Sequence, residues 1–223
     1  MSSRPRTSTE PRLIPYVTLR EGEEGAPNNL VIAGRGNQLR LFYADEEPDD
    51  RDVRGVLWAR CSQTLRDERH MPTGRPRWRF MHPSRQRETM QALLCQVCVR
   101  PARTPLGYIF LEGPDDYTGD EKLIVTAQPP VCARHVRAAV RLCPHLDGRP
   151  HVFLVQGAPL YGVKGTVYGY SRDGVQAIAS PEDSLPYGHP NLATFLASQL
   201  VRRLSSFRHV DLDELLHNLQ QAE

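Results

Sequence analysis

Lysine is nearly absent from this sequence of 223 residues, and its positive charge comes almost entirely from arginine. Lys122 and Lys164 are the only lysines among 28 basic residues, and 26 acidic residues leave a formal net charge of +2. This balance excludes a polycationic chain that binds nucleic acid by charge alone. Arginine favours bidentate contacts with phosphate or carboxylate. A GC-rich genome produces the same bias, and we attribute the larger share of the arginine excess to it.

Long apolar runs are also missing. No segment approaches the roughly 20 apolar residues of a membrane-spanning helix, and residues 1–6 lack the apolar centre of a signal peptide. Five cysteines leave one necessarily unpaired, which argues against a disulfide framework. We therefore expect a globular cytoplasmic protein without membrane contact, whose thiols stay reduced and are able to bind a metal ion.

The strongest motif consists of two pairs of metal-ligand residues. Cys95-Gln-Val-Cys98 is followed, after residues 99–131, by Cys132-Ala-Arg-His135. Two residues between the members of each pair is the spacing that brings both side chains onto one tetrahedral zinc ion. We predict a structural zinc ion held by Cys95, Cys98, Cys132 and His135. The alternative is that the cysteines are small buried apolar residues, but chance does not readily produce two such pairs.

The segment between the two pairs predicts a hairpin. Residues 107–111 and 122–126 are rich in β-branched and aromatic residues, and turn-forming residues occupy 113–120. Pro129-Pro130 precedes the second pair, and an amphipathic stretch follows it, so a helix is predicted to start there. Knuckle, hairpin and helix in this order resemble a treble-clef zinc finger. That resemblance implies a fold held by zinc.

The fourth ligand has an alternative, because Cys143-Pro-His145 follows the predicted helix. In a continuous helix, Cys143 lies about 16 Å from Cys132 along the axis and cannot reach the same ion. It then belongs to the buried face formed by Val136, Ala139 and Val140. If the helix starts later, Cys143 or His145 replaces His135 as the ligand. The other three ligands are unchanged in either case.

The pattern of elements predicts an α+β fold: antiparallel strands, a central treble-clef zinc finger and a C-terminal amphipathic helix. We divide the chain into a disordered tail (1–11), a β-rich part (12–65), a basic segment with the zinc finger (66–148), and a C-terminal sheet with helices (149–223). Strands are predicted at residues 13–19, 30–33, 39–43, 53–59, 77–80, 151–155, 161–170 and 174–179. Turns at 34–37 and 172–174 predict two further hairpins.

Two C-terminal helices are predicted from apolar periodicity. The first starts at Asn191 and has its apolar residues at a 3.6-residue spacing, namely Leu192, Phe195, Leu196, Leu200, Leu204 and Phe207. The second starts at Asp211 or Asp213 and carries Leu215, Leu216 and Leu219. These leucines are expected to pack either on the domain or on a second copy of the chain.

A basic segment precedes the zinc motif. Residues 75–87 contain no acid and combine arginines with aromatic residues, and we predict a nucleic-acid-binding set of Arg75, Arg77, Trp78, Arg79, Arg85 and Arg87. The competing interpretation is a strand with a charged face and a buried aromatic face. Ser84 is predicted to cap a helix that runs toward Cys95 and leaves Arg85 and Arg87 exposed.

Catalytic signatures are scarce. The predicted zinc-finger hairpin lacks the histidine of the treble-clef His-Asn-His nucleases, and four ligands close the zinc site to substrate. No nucleophile or acid lies at a spacing typical of a catalytic pair from His70, His82 or His189. These three histidines are expected to lie on the surface. Cys61 is expected to be a buried thiol.

Three segments resemble a family of uncharacterised actinobacterial proteins. They are Pro-Tyr-Val-Thr (15–18), Gly-Val-Leu-Trp-Ala-Arg (55–60) and Leu-Cys-Gln-Val-Cys (94–98). The resemblance implies a type of organism and no particular activity.

The sequence therefore favours a non-enzymatic, zinc-stabilised regulatory protein that binds DNA or RNA. A zinc-stapled protein-interaction or scaffold module is the alternative, with a protein partner or a homodimer formed through the C-terminal helices. A third alternative is an enzyme whose site is not visible in the sequence, which predicts a deep polar pocket.

Overall fold

The computed structural model describes residues 13–26, 29–34, 36, 38–117, 119 and 123–222. The predicted tail at 1–11 lies outside the described residues, as do parts of the predicted turn at 34–37 and of the strand at 122–126. The described chain has a mixed α+β fold with mostly antiparallel strands. Among the described residues, no helix is both long and apolar enough to cross a membrane.

Three α-helices occur in the described chain: α1 (Pro83–Ala92), α2 (Ala133–Leu142) and α3 (Leu212–Gln221). The strands are β1 (Thr18–Arg20), β2 (Leu30–Ala33), β3 (Arg40–Tyr43), β4 (Leu57–Trp58), β5 (Pro76–Met81), β6 (Tyr108–Glu112), β7 (Ile124–Thr126), β8 (His151–Gly157), β9 (Leu160–Ser171), β10 (Gly174–Ala179), β11 (Leu185–Pro186) and β12 (Phe195–His209). Short 3₁₀ helices occupy Pro48–Asp50 and Pro190–Thr194.

The strand β12 organises the largest sheet. Along its length it pairs antiparallel with β9, β7 and β8, and β4 pairs parallel with it. The first predicted C-terminal helix is therefore wrong, because Phe195–His209 is a strand and only a 3₁₀ helix precedes it.

Irregular register explains why this strand carries a helical pattern. The pairing of β12 with β9 shifts between Ala197 and Gln199 and again between Val201 and Arg202. Each shift offsets the two-residue alternation of a strand, so that buried residues recur at irregular intervals that mimic a helix. Both Leu200 and Val201 are buried, because the strand is covered on both faces.

The second predicted C-terminal helix is confirmed as α3. The Asp211 side chain accepts hydrogen bonds from the backbone N–H groups of Asp213 and Glu214, which caps the helix. Leu215 and Leu219 are buried in the same core cluster as the inner face of α2. The amphipathic face of α3 is therefore packed within this chain.

The hairpin predicted inside the zinc motif is wrong. The strand β6 pairs with β8, and β7 pairs with β12, so the two predicted hairpin strands have separate partners. Instead, an isolated bridge joins Ile109 of β6 to Val131, just before the second ligand pair. The strands β8 and β12, which pair with β6 and β7, are distant in sequence, and no local pattern identifies them as the partners.

Two other predicted hairpins are confirmed: β2 with β3, and β9 with β10. In β9, Gly162 and Gly165 lie against neighbouring backbone, as expected for close approaches within a sheet. A Cβ atom on Gly162 would lie 2.0 Å from the Leu185 carbonyl oxygen. The backbones of β9 and β11 can meet at this distance only because residue 162 is glycine.

Two strand pairings connect the N-terminal residues to the rest of the described fold. The strand β1 pairs antiparallel with β5, and β4 joins the main sheet beside β12. Both strands are shorter than the segments predicted at 13–19 and 53–59. The proposed division into parts at 12–65, 66–148 and 149–223 stays a prediction.

Candidate metal centre and basic strand

The first ligand pair lies on a tight knuckle. The Val99 N–H donates to the Cys95 carbonyl, and the Cys95 N–H donates to the Arg100 carbonyl. Val99 has a φ of 60°, which lets the chain reverse immediately after Cys98. The backbone and the side chain of Gln96 both donate to carbonyls of Pro129-Pro130, at 3.0 and 2.8 Å. These bonds hold the knuckle against the segment that carries the second pair.

The second ligand pair lies at the start of α2, as predicted. Cys132 is the N-cap residue, and His135 lies in the first turn, where its N–H donates to the Cys132 carbonyl. Val136, Ala139 and Val140 form the buried face of the helix and anchor it in the core. Core packing therefore fixes the orientation of both ligands on α2.

The four predicted ligands converge. The ligand atoms of Cys95, Cys98, Cys132 and His135 all lie within 4.8 Å of one another. The Cys98 and Cys132 sulfurs are 4.0 Å apart, and His135 Nδ1 is 3.2 Å from the Cys132 sulfur. Metal–ligand distances of about 2.0–2.3 Å give edges of about 3.5–3.8 Å in a tetrahedral zinc site. The separations of 4.0 and 3.2 Å lie on either side of that range, and this cluster could hold a metal ion.

Hydrogen bonding and burial shift the pKa values of the cysteines in the cluster in opposite directions. Hydrogen bonding to Cys132, together with burial, raises the pKa of Cys95 to about 12, and the same bond lowers the pKa of Cys132. Cys132 is the N-cap residue of α2, and the helix N-terminus also favours its thiolate form. A bound cation would favour the thiolate form of the other two cysteines as well.

Neither alternative fourth ligand belongs to the cluster. The helix α2 is continuous, and Cys143 is its C-cap residue, at the end opposite to Cys132. Cys143 is half-buried against the core, and the exposed His145 lies 3.4 Å from a carboxylate oxygen of Asp116. Among the described residues, the set that could hold a metal ion contains His135 instead.

The strand β5 carries the exposed part of the predicted basic set. Arg77 and Arg79 are exposed on β5, and Arg75 immediately precedes the strand. None of the three arginines forms an ion pair with a described residue. Phe80 is 53% exposed, and the Arg77 guanidinium lies 5.0 Å from its ring centre. The predicted buried aromatic face is wrong, because Phe80 is exposed and Trp78 is only half-buried.

Arg85 does not belong to this surface. Its side chain is 2% exposed and donates to both carboxylate oxygens of Glu23, at 2.6 and 2.7 Å. Its Nη2 also donates to the Thr18 carbonyl at 2.9 Å. Burial opposes ionisation of Glu23, but hydrogen bonds from Arg85, Arg20 and Thr64 outweigh it and lower the pKa of Glu23 to about 2. The predicted exposure of Arg85 is wrong, because a buried carboxylate holds it.

Arg87 is also engaged with the chain. It is half-buried, lies 5.3 Å above the Trp58 ring and donates to the Asp49 carbonyl. The predicted Ser84 cap is wrong, because His82 is the N-cap residue and no side chain caps α1. His82 is fully buried, and its Nε2 lies 3.0 Å from the Ser62 carbonyl, so its expected surface position is also wrong. Cys61, expected to be buried, is partly exposed.

A cavity of about 750 Å³ lies beside β5 and was not predicted. Trp78 and Arg79 line it from β5, and Glu112, His145 and Lys164 line it from other elements. Glu112 ends β6 and is 7% exposed. In the sequence, Glu112 directly follows the apolar run Tyr-Ile-Phe-Leu. Carboxylates are rarely buried without a role, so this position was the available indication of the cavity.

Comparison of the chain with protein-family models, curated proteins and solved structures found no match. The resemblance to an actinobacterial family stays a prediction.

Proposed function

We propose that this chain is a zinc-stabilised, non-enzymatic regulatory protein that binds DNA or RNA through β5. The observation that carries the proposal is a group of three exposed arginines beside the exposed Phe80. Arg77 and Arg79 lie on β5 and Arg75 immediately precedes it, and none of them forms an ion pair with a described residue. The binding surface is narrower than the sequence predicted. It consists of Arg75, Arg77, Trp78, Arg79 and Phe80, without Arg85 and Arg87.

Zinc is the metal that best suits the cluster. Three thiolates and one imidazole in a near-tetrahedral arrangement are typical ligands of structural zinc, whereas magnesium and calcium prefer oxygen. Four protein ligands leave no open position for a substrate, so the ion would contribute to folding and not to catalysis.

The ligand placement keeps two parts of a treble clef. Cys95 and Cys98 lie on a knuckle, and Cys132 and His135 lie at the start of a helix. The intervening strands pair elsewhere, so we propose a treble-clef-like zinc finger whose hairpin has been incorporated into larger sheets.

The spacing of the arginines suits a polyanion. Alternate residues of a strand lie about 6.7 Å apart on one face. Each strand of DNA carries one phosphate for about every 3.4 Å of helix axis, so two arginines about 6.7 Å apart are close enough to contact nearby phosphates of one strand. Phe80 and Trp78 supply aromatic faces on which bases stack. In addition, β5 pairs only with β1 among the described strands, which leaves one edge of β5 unpaired.

The proposal is tested by fluorescence anisotropy with zinc-loaded full-length protein and labelled duplex DNA, single-stranded DNA and RNA, over a range of salt concentrations. We expect affinity to fall as salt rises. For single-stranded DNA, the slope of log Kd against the logarithm of the salt concentration should be smaller in the double variant Arg77→Ala/Arg79→Ala. The expected decrease is about 0.7 for each arginine removed.

The matched control is Arg40→Ala/Arg172→Ala, which removes the same charge from exposed positions on β3 and in the β9–β10 turn. Equal losses in the two double variants would assign the binding to net charge and not to β5. Absence of binding at low salt would overturn the proposal.

The scaffold alternative has no comparable support. Its expected contact surface was the apolar face of the C-terminal helices, and the described structure packs Leu215 and Leu219 of α3 inside the chain. Association through a protein partner or a second copy stays a prediction.

A further inference from the structure

The cavity beside β5 is large enough for a small ligand. Its volume of about 750 Å³ lies within the range of small-molecule sites, about 300–1,000 Å³. Residues from β1, β5, β7 and the segment after α2 surround it, so several separate elements of the fold fix its shape.

Glu112 gives the cavity an unsatisfied hydrogen-bonding group. Its side chain lines the cavity and is almost fully buried, and its Oε1 has no hydrogen-bond partner among the described residues. Burial, assisted by the nearby Asp116 carboxylate, raises the pKa of Glu112 to about 7. An unpaired buried oxygen is costly, and a ligand that brings an N–H group would remove that cost.

The rest of the lining indicates what else the ligand carries. Trp78 and Phe80 offer aromatic faces, on which a planar heterocycle can stack. Arg79 and Lys164 supply positive charge around the same cavity, which suits a phosphate group. A ligand that satisfies all these groups has a flat ring, an N–H donor at the edge of the ring and an attached anionic group.

We propose that this cavity binds one nucleotide whose base bears an amino group, with the base stacked on Trp78, its amino group donating to Glu112, and its phosphate near Arg79 and Lys164. Adenine, cytosine and guanine carry such a group, whereas uracil presents an acceptor in its place. The nucleotide is either free or part of a single strand bound on β5. The second source rests on the proposed function.

Cys143 and His145 line the same cavity and invite an enzymatic interpretation. In the described structure, however, no hydrogen bond joins the Cys143 thiol to the His145 imidazole, which lies near Asp116 instead. A nucleophile needs a base within hydrogen-bond reach. The cavity is therefore assigned to binding.

The test measures quenching of tryptophan fluorescence by AMP, CMP, GMP and UMP on zinc-loaded full-length protein. The chain has two tryptophans, and Trp58 is 2% exposed, so quenching by a stacked base reports on Trp78. The titration is run at about pH 8, where a carboxyl with a raised pKa is mostly ionised and can only accept hydrogen bonds. The other charged or titratable groups that face the cavity are Arg79, Asp116, Cys143, His145 and Lys164.

We expect UMP to bind about tenfold more weakly than the three amino-bearing nucleotides. Glu112→Met, which removes the acceptor at similar size, should abolish this preference. Glu112→Gln keeps an acceptor oxygen but adds an amide N–H group that can donate to the uracil oxygen, so it should weaken the preference without abolishing nucleotide binding. Trp78→Phe should remove the quenching signal while leaving binding measurable by calorimetry.

Oligonucleotides of adenosine and of uridine distinguish the two sources. If the adenosine strand binds more tightly than AMP and its binding is sensitive to salt, the ligand is a strand. If the two bind with equal affinity, the ligand is a free nucleotide. If strands bind without base preference and Glu112→Met has no effect, the cavity proposal is overturned while nucleic-acid binding by β5 stands. If AMP binds but no strand does, β5 binding fails and the cavity proposal stands. If neither binds, both are overturned.

Discussion

Arg85→Met should destabilise the protein severely, although the sequence places Arg85 in an exposed basic segment. The substitution leaves the Glu23 carboxylate, which is 0% exposed, without its main cationic partner. Removing one member of a buried ion pair typically costs about 3–5 kcal/mol. For a chain of 223 residues, this corresponds to a fall in melting temperature of about 6–20 °C.

The assay is urea denaturation at neutral pH with zinc in excess, so that metal loss does not contribute. Arg77→Met is the matched control, because it makes the same substitution at an exposed residue without an ion pair among the described residues. Its free energy of unfolding should change by less than about 0.5 kcal/mol. The double variant Arg85→Met/Glu23→Gln should recover part of the loss, because no uncompensated carboxylate remains.

A loss below about 1 kcal/mol for Arg85→Met would refute the assignment of Arg85 as a buried structural residue. Additive effects of the two substitutions in the double variant would also contradict it, because direct partners must be energetically coupled.

Three further predictions concern stability. Glu112→Gln should stabilise the chain in denaturation curves. A carboxyl whose pKa is raised in the folded state destabilises that state as pH rises between its unfolded and folded pKa values. The difference in unfolding free energy between the variant and the natural chain should therefore grow by about 2 kcal/mol from about pH 5.5 to pH 8. Gly162→Ala should cost about 1–3 kcal/mol, because its Cβ would lie 2.0 Å from a backbone oxygen of β11, whereas Gly25→Ala meets nothing within 4 Å and should be nearly neutral. Cys98→Ser should lower the melting temperature sharply in a thermal scan, and Cys143→Ser should change it little, since only Cys98 belongs to the ligand cluster; equal shifts in the two variants would contradict the assignment.

The ligand cluster could be predicted because its information is local. A pair with two intervening residues suits a knuckle or a helix start, so each pair can be recognised from a short stretch of sequence. The two confirmed hairpins have the same origin, since turn residues such as Arg172-Asp-Gly174 join strands that are adjacent in sequence.

The errors arose where distant residues decide the structure. Phe195–His209 carries a helical pattern, but β-bulges and partners on both sides make it a strand. Arg85 looked exposed because its partner, Glu23, lies 62 residues away in sequence. The cavity depends in the same way on elements that are far apart in the chain, and Glu112 gave only a weak indication of it.

The most direct test of the account is native mass spectrometry of the protein purified without added metal. We predict one zinc ion per chain in the natural sequence and in the Cys143→Ser and His145→Ala variants, and none in Cys98→Ser or His135→Ala. Zinc retained by His135→Ala but lost from Cys143→Ser or His145→Ala would move the fourth ligand to the other end of α2 and contradict the observed cluster. A natural chain without zinc would refute the central claim that a Cys₃His zinc site stabilises this fold.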